Sequence, residues 1–317
     1  MKTTEELKTF YSETLADDLQ ALEQQRKAIL QKLTIAGIVI AIVLFVVLAI
    51  AAQSGAFPVL IFILFAAIIV FGIIAKILSR DYVAKFKSNI IGRIVKFIDP
   101  NLNYIQKGKI EKETFMDSDI FKTKPNRYKG DDYVRGTIGK TPIEFSEIHA
   151  QYESGSGKNK RTVTVFKGLF FIADFNKHFT CKTVVLPDTA ESLFGSFGKM
   201  FQAWNLSRDQ LIKLEDPEFE KLFVVYGTDQ IQARYILSTS LMARITDFKK
   251  KTGQKIFLSF IDSKVYVAIS YTKNLFEPKV FSTLMNFELI REYFDELQLA
   301  TGIVDDLNLN TRIWSKQ

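Results

Sequence analysis

The sequence predicts an α+β protein: an N-terminal two-helix transmembrane hairpin followed by a soluble domain with a β-meander and a mixed helix and strand C-terminal half. Three observations predict it. Two stretches without a charged residue, Leu33 to Ala52 and Phe57 to Ala75, are separated only by Gln53, Ser54, Gly55 and Ala56. From about Lys109 to Pro187 the chain breaks into short runs rich in Val, Ile, Thr, Phe and Tyr with turn residues between them. Beyond Leu206, helical periodicity alternates with strand-like runs. The expected divisions are an amphipathic helix over 1–32, the hairpin over 33–75, a basic juxtamembrane segment over 76–100, a β-rich part over 101–187 and an α+β part over 188–317.

Thr3 and Glu6 have the spacing of a capping box, and Leu7, Tyr11, Leu15, Leu19, Leu22 and Ile29 recur at helical intervals, so the chain opens with an amphipathic helix. Arg26 interrupts its apolar stripe, which is covered by the rest of the chain, by a second copy or by a partner; docking onto its own chain is the simplest case. A helix rises about 1.5 Å per residue, so roughly 20 apolar residues cross a hydrocarbon core of about 30 Å. Each uncharged stretch meets that length. Ala49-Ile50-Ala51 imitates a signal-peptide cleavage site, but 32 residues precede the apolar run, unlike a secretory signal. Neither span holds an acid, a base or a histidine, which argues against an ion or substrate path through them. Gly37 and Ala41 form a small-xxx-small pair for contact between the hairpin arms or for an oligomer interface. Pro58 sits in the first turn of the second span, where its missing amide proton costs little.

Lys and Arg near a span are retained on the cytoplasmic side. Arg26, Lys27 and Lys32 precede the hairpin, Lys76, Arg80, Lys85, Lys87, Arg93 and Lys96 follow it, and its loop carries no charge. Both termini are therefore expected in the cytoplasm, with the chain in the inner membrane. Much of the net charge of +7 lies in this flank, where six basic residues face one acid, Asp81, so nucleic acid is not needed to explain it. Val83, Phe86, Ile90, Ile94 and Phe97 share a helical face opposite Lys85, Arg93 and Lys96, until Asp99 and Pro100 end the pattern. Such a segment either lies among lipid headgroups or packs its apolar face on the soluble domain. The six flank residues, with Lys158, Lys160 and Arg161 at a hairpin tip, are the candidate membrane-surface contacts.

Expected strands are Tyr133 to Ile138, Ile143 to Tyr152, Thr162 to Phe171 and Thr180 to Leu186. Further on, Asp216-Pro217 opens a short helix, Thr228 caps another through Arg234, and Leu241, Ile245 and Phe248 form a helical face ended by Gly253. Lys255 to Ile261 and Lys264 to Ser270 read as a hairpin across Asp262-Ser263, before a final helix over about Leu284 to Ala300. The stretch around Ser192 to Ala203 reads as flexible.

Phe166-Lys167-Gly168-Leu169-Phe170-Phe171 leads to Asp174-Phe175-Asn176-Lys177, then Leu186-Pro187-Asp188, Leu214 through Phe223, and Ala233-Arg234-Tyr235-Ile236-Leu237. In order and spacing, over roughly 90–290, these resemble the bacterial family called domain of unknown function 3137. The resemblance implies a bacterial membrane protein, often encoded near LemA-type membrane proteins, with no established activity, cofactor or catalytic residue. Arg234, the charged member of the signature, is expected in a buried ion pair.

Several strings imitate known sites and fail in detail. Gly155-Ser156-Gly157-Lys158-Asn159 lacks the first glycine and the hydroxyl of a phosphate loop, and Gly195 to Met200 fails the same test. Asp306, Asn308 and Asn310 begin like a calcium loop, but Thr311 and Gln317 stand where glycine and glutamate are required. His149 and His178 have no second ligand at metal spacing, and a His178 to Cys181 pair would point to opposite faces of a strand. Glu215, Asp216, Glu218 and Glu220 read as a solvated helix start. With one cysteine there is no internal disulfide, which fits a reducing compartment. No cofactor and no catalytic residue is expected. The leading expectation is a non-enzymatic interaction or scaffolding component whose partners are the bilayer and another membrane protein or a second copy. A pleckstrin-like lipid-reading module and an undetected hydrolase are the alternatives.

Overall fold

The computed structural model describes residues 2–54, 57–175, 180–188 and 210–310, with the side chains of 52–54, 57–59 and 158 left out. The stretch around Ser192 to Ala203, the Gly195 to Met200 string, His178 and the residues that would end a calcium loop lie outside these. The α+β class holds. The described chain divides into two compact units, one built from 2–94 and 276–294, the other from 95–275 and 295–310.

In the first unit α1 (Thr4–Phe10), a π-helical turn (Tyr11–Leu15) and α2 (Ala16–Ser54) follow without a break. The capping box closes as expected: Glu6 N donates to Thr3 Oγ1 at 3.2 Å and Thr3 N to a Glu6 carboxylate oxygen at 2.8 Å. Next come α3 (Phe57–Phe86), a second π-helical turn (Lys87–Ile91) and α4 (Gly92–Ile98), whose last four residues belong to the second unit. The two turns are linked, since Arg93 donates to the Thr14 carbonyl at 3.0 Å and pairs with Asp18 at 2.8 Å, while Asn89 donates to Asp18 at 3.3 Å. A π-turn leaves carbonyls off the regular ladder, and Arg93 takes one of them.

Among the described residues, two helices are long and apolar enough to cross a membrane, and almost none of their apolar windows is buried. That separates them from the core helix of a soluble fold. Most large apolar side chains within 35–50 and 61–77 are exposed, Phe45 at 71% and Phe62 at 76%. Gly37 faces the Phe71 ring of the second arm, 3.8 Å from where a Cβ would stand, a distance that leaves room for a methyl group.

Leu7, Leu15, Leu19, Leu22 and Ile29 are all buried. The stripe docks on its own chain: Tyr11 meets the Phe287 ring edge-on at 5.6 Å. Arg26 corrects the sequence reading, because it does not interrupt the stripe but is buried within it, bonded to Glu23.

The second unit is organised by one mixed-length antiparallel sheet of nine described strands, in the order β1-β2-β3-β4-β9-β8-β5-β7-β6. They are β1 (Asn103–Ile105), β2 (Arg127–Ile138), β3 (Thr141–Ser154), β4 (Arg161–Asp174), β5 (Thr183–Pro187), β6 (Gln210–Ile212), β7 (Phe223–Gly227), β8 (Ile256–Ile261) and β9 (Lys264–Ser270). β2, β3 and β4 form the expected meander. β5 does not continue it, because β9 occupies the place beside β4 and β5 pairs with β7 and β8. β6 and β7 escaped the sequence reading, being only three and five residues long.

One sheet face is covered by the segment around α5 (Lys112–Asp117). Phe115 and Phe121 pack with Phe166, Phe170, Ile148, Phe257 and Tyr266 in a single apolar cluster. Two buried hydroxyls pin that segment: Ile110 N donates to Ser146 Oγ at 3.0 Å, and Ser259 Oγ donates to the Ser118 carbonyl at 2.5 Å. Gly168 lies where a Cβ would stand 2.0 Å from the Ile269 carbonyl oxygen, with φ of 150°.

The short helices are fixed by their caps. Asp216 accepts from Glu218 N and Phe219 N at the start of α6 (Pro217–Glu220). For α7 (Gln230–Ile236) the cap is Asp229, not Thr228; the carboxylate takes Ile231 N and Gln232 N, while the Thr228 hydroxyl accepts from Lys182 N. α8 (Thr239–Thr252) ends on Gly253 at φ 64°, as expected. The final helix α9 (Phe287–Asp306) starts later and runs further than expected. Asn286 sets its start, accepting from Glu288 N at 3.0 Å.

Candidate functional site

An open groove of 640 Å³ lies along β2, β3, β4 and β9. Strand alternation decides what lines it, because every second residue faces the same side. One cross-strand row is Arg135, Glu144 and Ile172, which continues to the core residue Tyr266. Along the groove from that row, Asp174 stands opposite Lys264. Ile172, itself buried in the core cluster, is thereby flanked by two cations and two anions. Tyr133, two residues before Arg135, donates its hydroxyl to Glu144 at 2.6 Å. Burial, reinforced by the Glu144 carboxylate, pushes the Tyr133 phenol up to about 12. It therefore stays a neutral donor at neutral pH.

The groove wall near β1 depends on Gly136, where a Cβ would stand 2.3 Å from the Asn101 carbonyl oxygen. Balanced charge gives the groove no strong field of one sign, unlike a phosphate site.

Asp131, Asp132 and Glu147 bring carboxylate oxygens within 4.8 Å of one another. Asp132 occupies the irregularity in β2 with φ of 57° and accepts from the Tyr104 hydroxyl. Glu147 accepts from Leu275 N at 2.8 Å. Both carboxylates thus serve backbone and side-chain donors that hold the sheet edge. His149 lies between Lys129 and Lys167 in register, and burial with those cations lowers its pKa.

The residues read from sequence as surface contacts have different fates. Lys76, Arg80 and Lys85 are exposed. Arg93 is engaged by Asp18 and Thr14, and Lys96 donates to the Pro100 carbonyl and Asn103, both at 3.0 Å. Lys87 is 2% exposed and pairs with Glu277 at 2.6 Å, because it falls on the buried side of the π-turn; its ammonium is turned away from the surface. At the hairpin tip, Lys160 pairs with Glu153 at 2.7 Å and Arg161 is exposed, while the Lys158 side chain lies outside the described residues. Arg127 also pairs with Glu153, so one carboxylate serves two cations there.

Arg234 corrects another expectation. It is exposed and donates to the Lys213 carbonyl at 3.2 Å, since Ala233 and Ile236 form the buried side of α7. Among the expected solvated acids, Asp216 caps α6, Glu218 pairs with Lys250 and Glu220 accepts from Leu214 N. Cys181 is buried, and burial raises its thiol pKa. The groove residues went unread in the sequence because they come from four strands. Their available signal was the placing of charged residues at alternate positions in otherwise apolar strands.

No curated protein matches the sequence. Among solved structures, the crystal structure of the mycobacterial trehalose monomycolate transport factor A, TtfA, is similar at a TM-score of 0.34 and 11% identity, over 68% of this chain and 96% of that one. Residues 164–309, from within β4 to beyond the end of α9, match the family model described as "Protein of unknown function (DUF3137)", which supports the resemblance carried by the motifs from Phe166 to Leu237.

Proposed function

We propose that this chain is a membrane-anchored, non-enzymatic interaction protein. Its hairpin holds it in the inner membrane with both termini cytoplasmic, and its groove receives an extended segment of another membrane protein. The observation that supports this reading most is the groove floor around Ile172, bordered by Arg135 with Glu144 and by Lys264 with Asp174. Cross-strand charges at such positions select register and partner more than they supply affinity. The basic flanks support the orientation, and in it the exposed Lys76, Arg80 and Lys85 would meet anionic headgroups.

A photoreactive residue at Lys264 in the full-length, membrane-embedded protein tests the reading. A discrete protein adduct is expected there and not at Lys250, and Arg135→Glu should cut its yield about tenfold, the effect of roughly 1.4 kcal/mol. Equal labelling at both positions, or a yield indifferent to Arg135→Glu, would contradict a peptide-receiving groove.

A further inference from the structure

The segment 276–286 is held against the hairpin's base by a buried polar clamp. Arg26 donates to Glu23 at 2.8 and 2.6 Å and to the Val280 carbonyl at 3.1 Å, and Leu284 N donates to Glu23 at 3.0 Å. Lys87 pairs with Glu277 at the same segment's start. Leu284 is fully buried, whereas Phe281 is 75% and Met285 47% exposed. A turn closed by Ser282 N on the Lys279 carbonyl presents Phe281 at its tip.

The clamp has a defined depth. Arg26 lies seven residues before the first uncharged stretch, and the buried Tyr82 seven residues after the second. At about 1.5 Å per residue both stand roughly 10 Å from the hydrocarbon boundary. The headgroup layer takes up about 5–8 Å on each side of the core, so a ring reaching up from that depth meets it. The flanking exposed residues Lys27, Lys32, Lys76 and Arg80 carry the charge that anionic headgroups attract. Nothing apolar in the described chain covers Phe281.

We propose that the loop Lys279–Met285 is a second membrane contact, in which Phe281 and Met285 enter the headgroup layer beside the hairpin while Leu284 and the Arg26–Glu23 clamp hold the loop at that height. This rests on the reading of the hairpin as membrane-spanning. The loop would tie a distant part of the sequence to the lipid surface and limit rotation about the hairpin's base.

The test uses the full-length protein with Cys181→Ser, carrying a single cysteine at Lys8, Val43, Phe281 or Met285. Each is labelled with an environment-sensitive fluorophore in vesicles of mixed zwitterionic and anionic phospholipid. Labels at 281 and 285 should be quenched severalfold more than the Lys8 label by lipids carrying a headgroup-level nitroxide, and be shielded from aqueous iodide. Phe281→Asp should abolish that difference for the label at 285. Iodide access at 281 and 285 equal to that at Lys8, with Val43 shielded, would overturn the loop contact and leave the anchor standing. Iodide access at Val43 as well would overturn both.

Discussion

Glu23 and Arg26, one turn apart on α2, close a bidentate ion pair with both side chains buried, and the pair joins the first unit's helices to a segment more than 250 residues away. An arginine in an apolar stripe reads as an interruption; here it is the fastening. Two buried charges cost desolvation, which their mutual bonds and the backbone groups of Val280 and Leu284 offset. Breaking one partner is therefore worse than removing both.

Arg26→Ala should destabilise the first unit by about 3–5 kcal/mol, because Glu23 is left buried without its cation. The double change Glu23→Leu with Arg26→Met should recover most of that loss in chemical unfolding of the detergent-solubilised protein. Equal losses in the single and double variants would show that the clamp matters only through packing.

The bond to Arg26 lowers the Glu23 carboxyl from 4.5 to about 2. The stabilisation from this group is complete above its unfolded value and fades as pH falls from about 4.5 toward 2. Glu23→Gln should flatten that part of the stability profile. A profile unchanged between the two proteins would place the acid-sensitive group elsewhere.

Tyr82 is 1% exposed, and its hydroxyl makes no hydrogen bond among the described residues. Burial raises its phenol well above the ordinary range. Tyr82→Phe should leave stability unchanged or raise it by up to about 1 kcal/mol, since an unsatisfied polar group is removed without loss of ring packing. A loss above that size would reveal a bonded hydroxyl.

Ser259→Ala should cost about 1–3 kcal/mol by leaving the buried Ser118 carbonyl without its donor. Hydrogen exchange should quicken first around residues 110–121, whose contact with the sheet depends on that bond. Exchange that rises evenly across all strands would contradict a local pin.

Gly168→Ala should destabilise the sheet by about 3 kcal/mol or more, as its methyl group meets the Ile269 carbonyl at 2.0 Å. The readout is the denaturation midpoint. Gly157→Ala, at φ 56° with open space around it, adds backbone strain but no clash and should cost less.

Local chemistry made much of this fold legible. The capping box at Thr3, the Asp262 turn between β8 and β9, and the Gly253 stop of α8 each follow from residues within a few positions of one another. Long-range pairing was not legible in the same way. Nothing near β5 announces that β9 will intervene beside β4, because strand order is decided by pairing across 90 residues or more. The burial of Lys87 was hidden because its charge reads as exposed and its partner Glu277 lies 190 residues further along the sequence. The groove was hidden for the first of these reasons: Arg135, Glu144, Asp174 and Lys264 become neighbours only through register.

Cysteine labelling in intact cells, in a Cys181→Ser background, tests the anchor most directly. A membrane-impermeant maleimide should label Gln53→Cys from outside, and should reach Lys2→Cys and Lys264→Cys only after the membrane is opened. Labelling of Lys2→Cys or Lys264→Cys in intact cells, or recovery of the full chain in the detergent-free supernatant, would contradict a hairpin that crosses the inner membrane with its sheet domain inside.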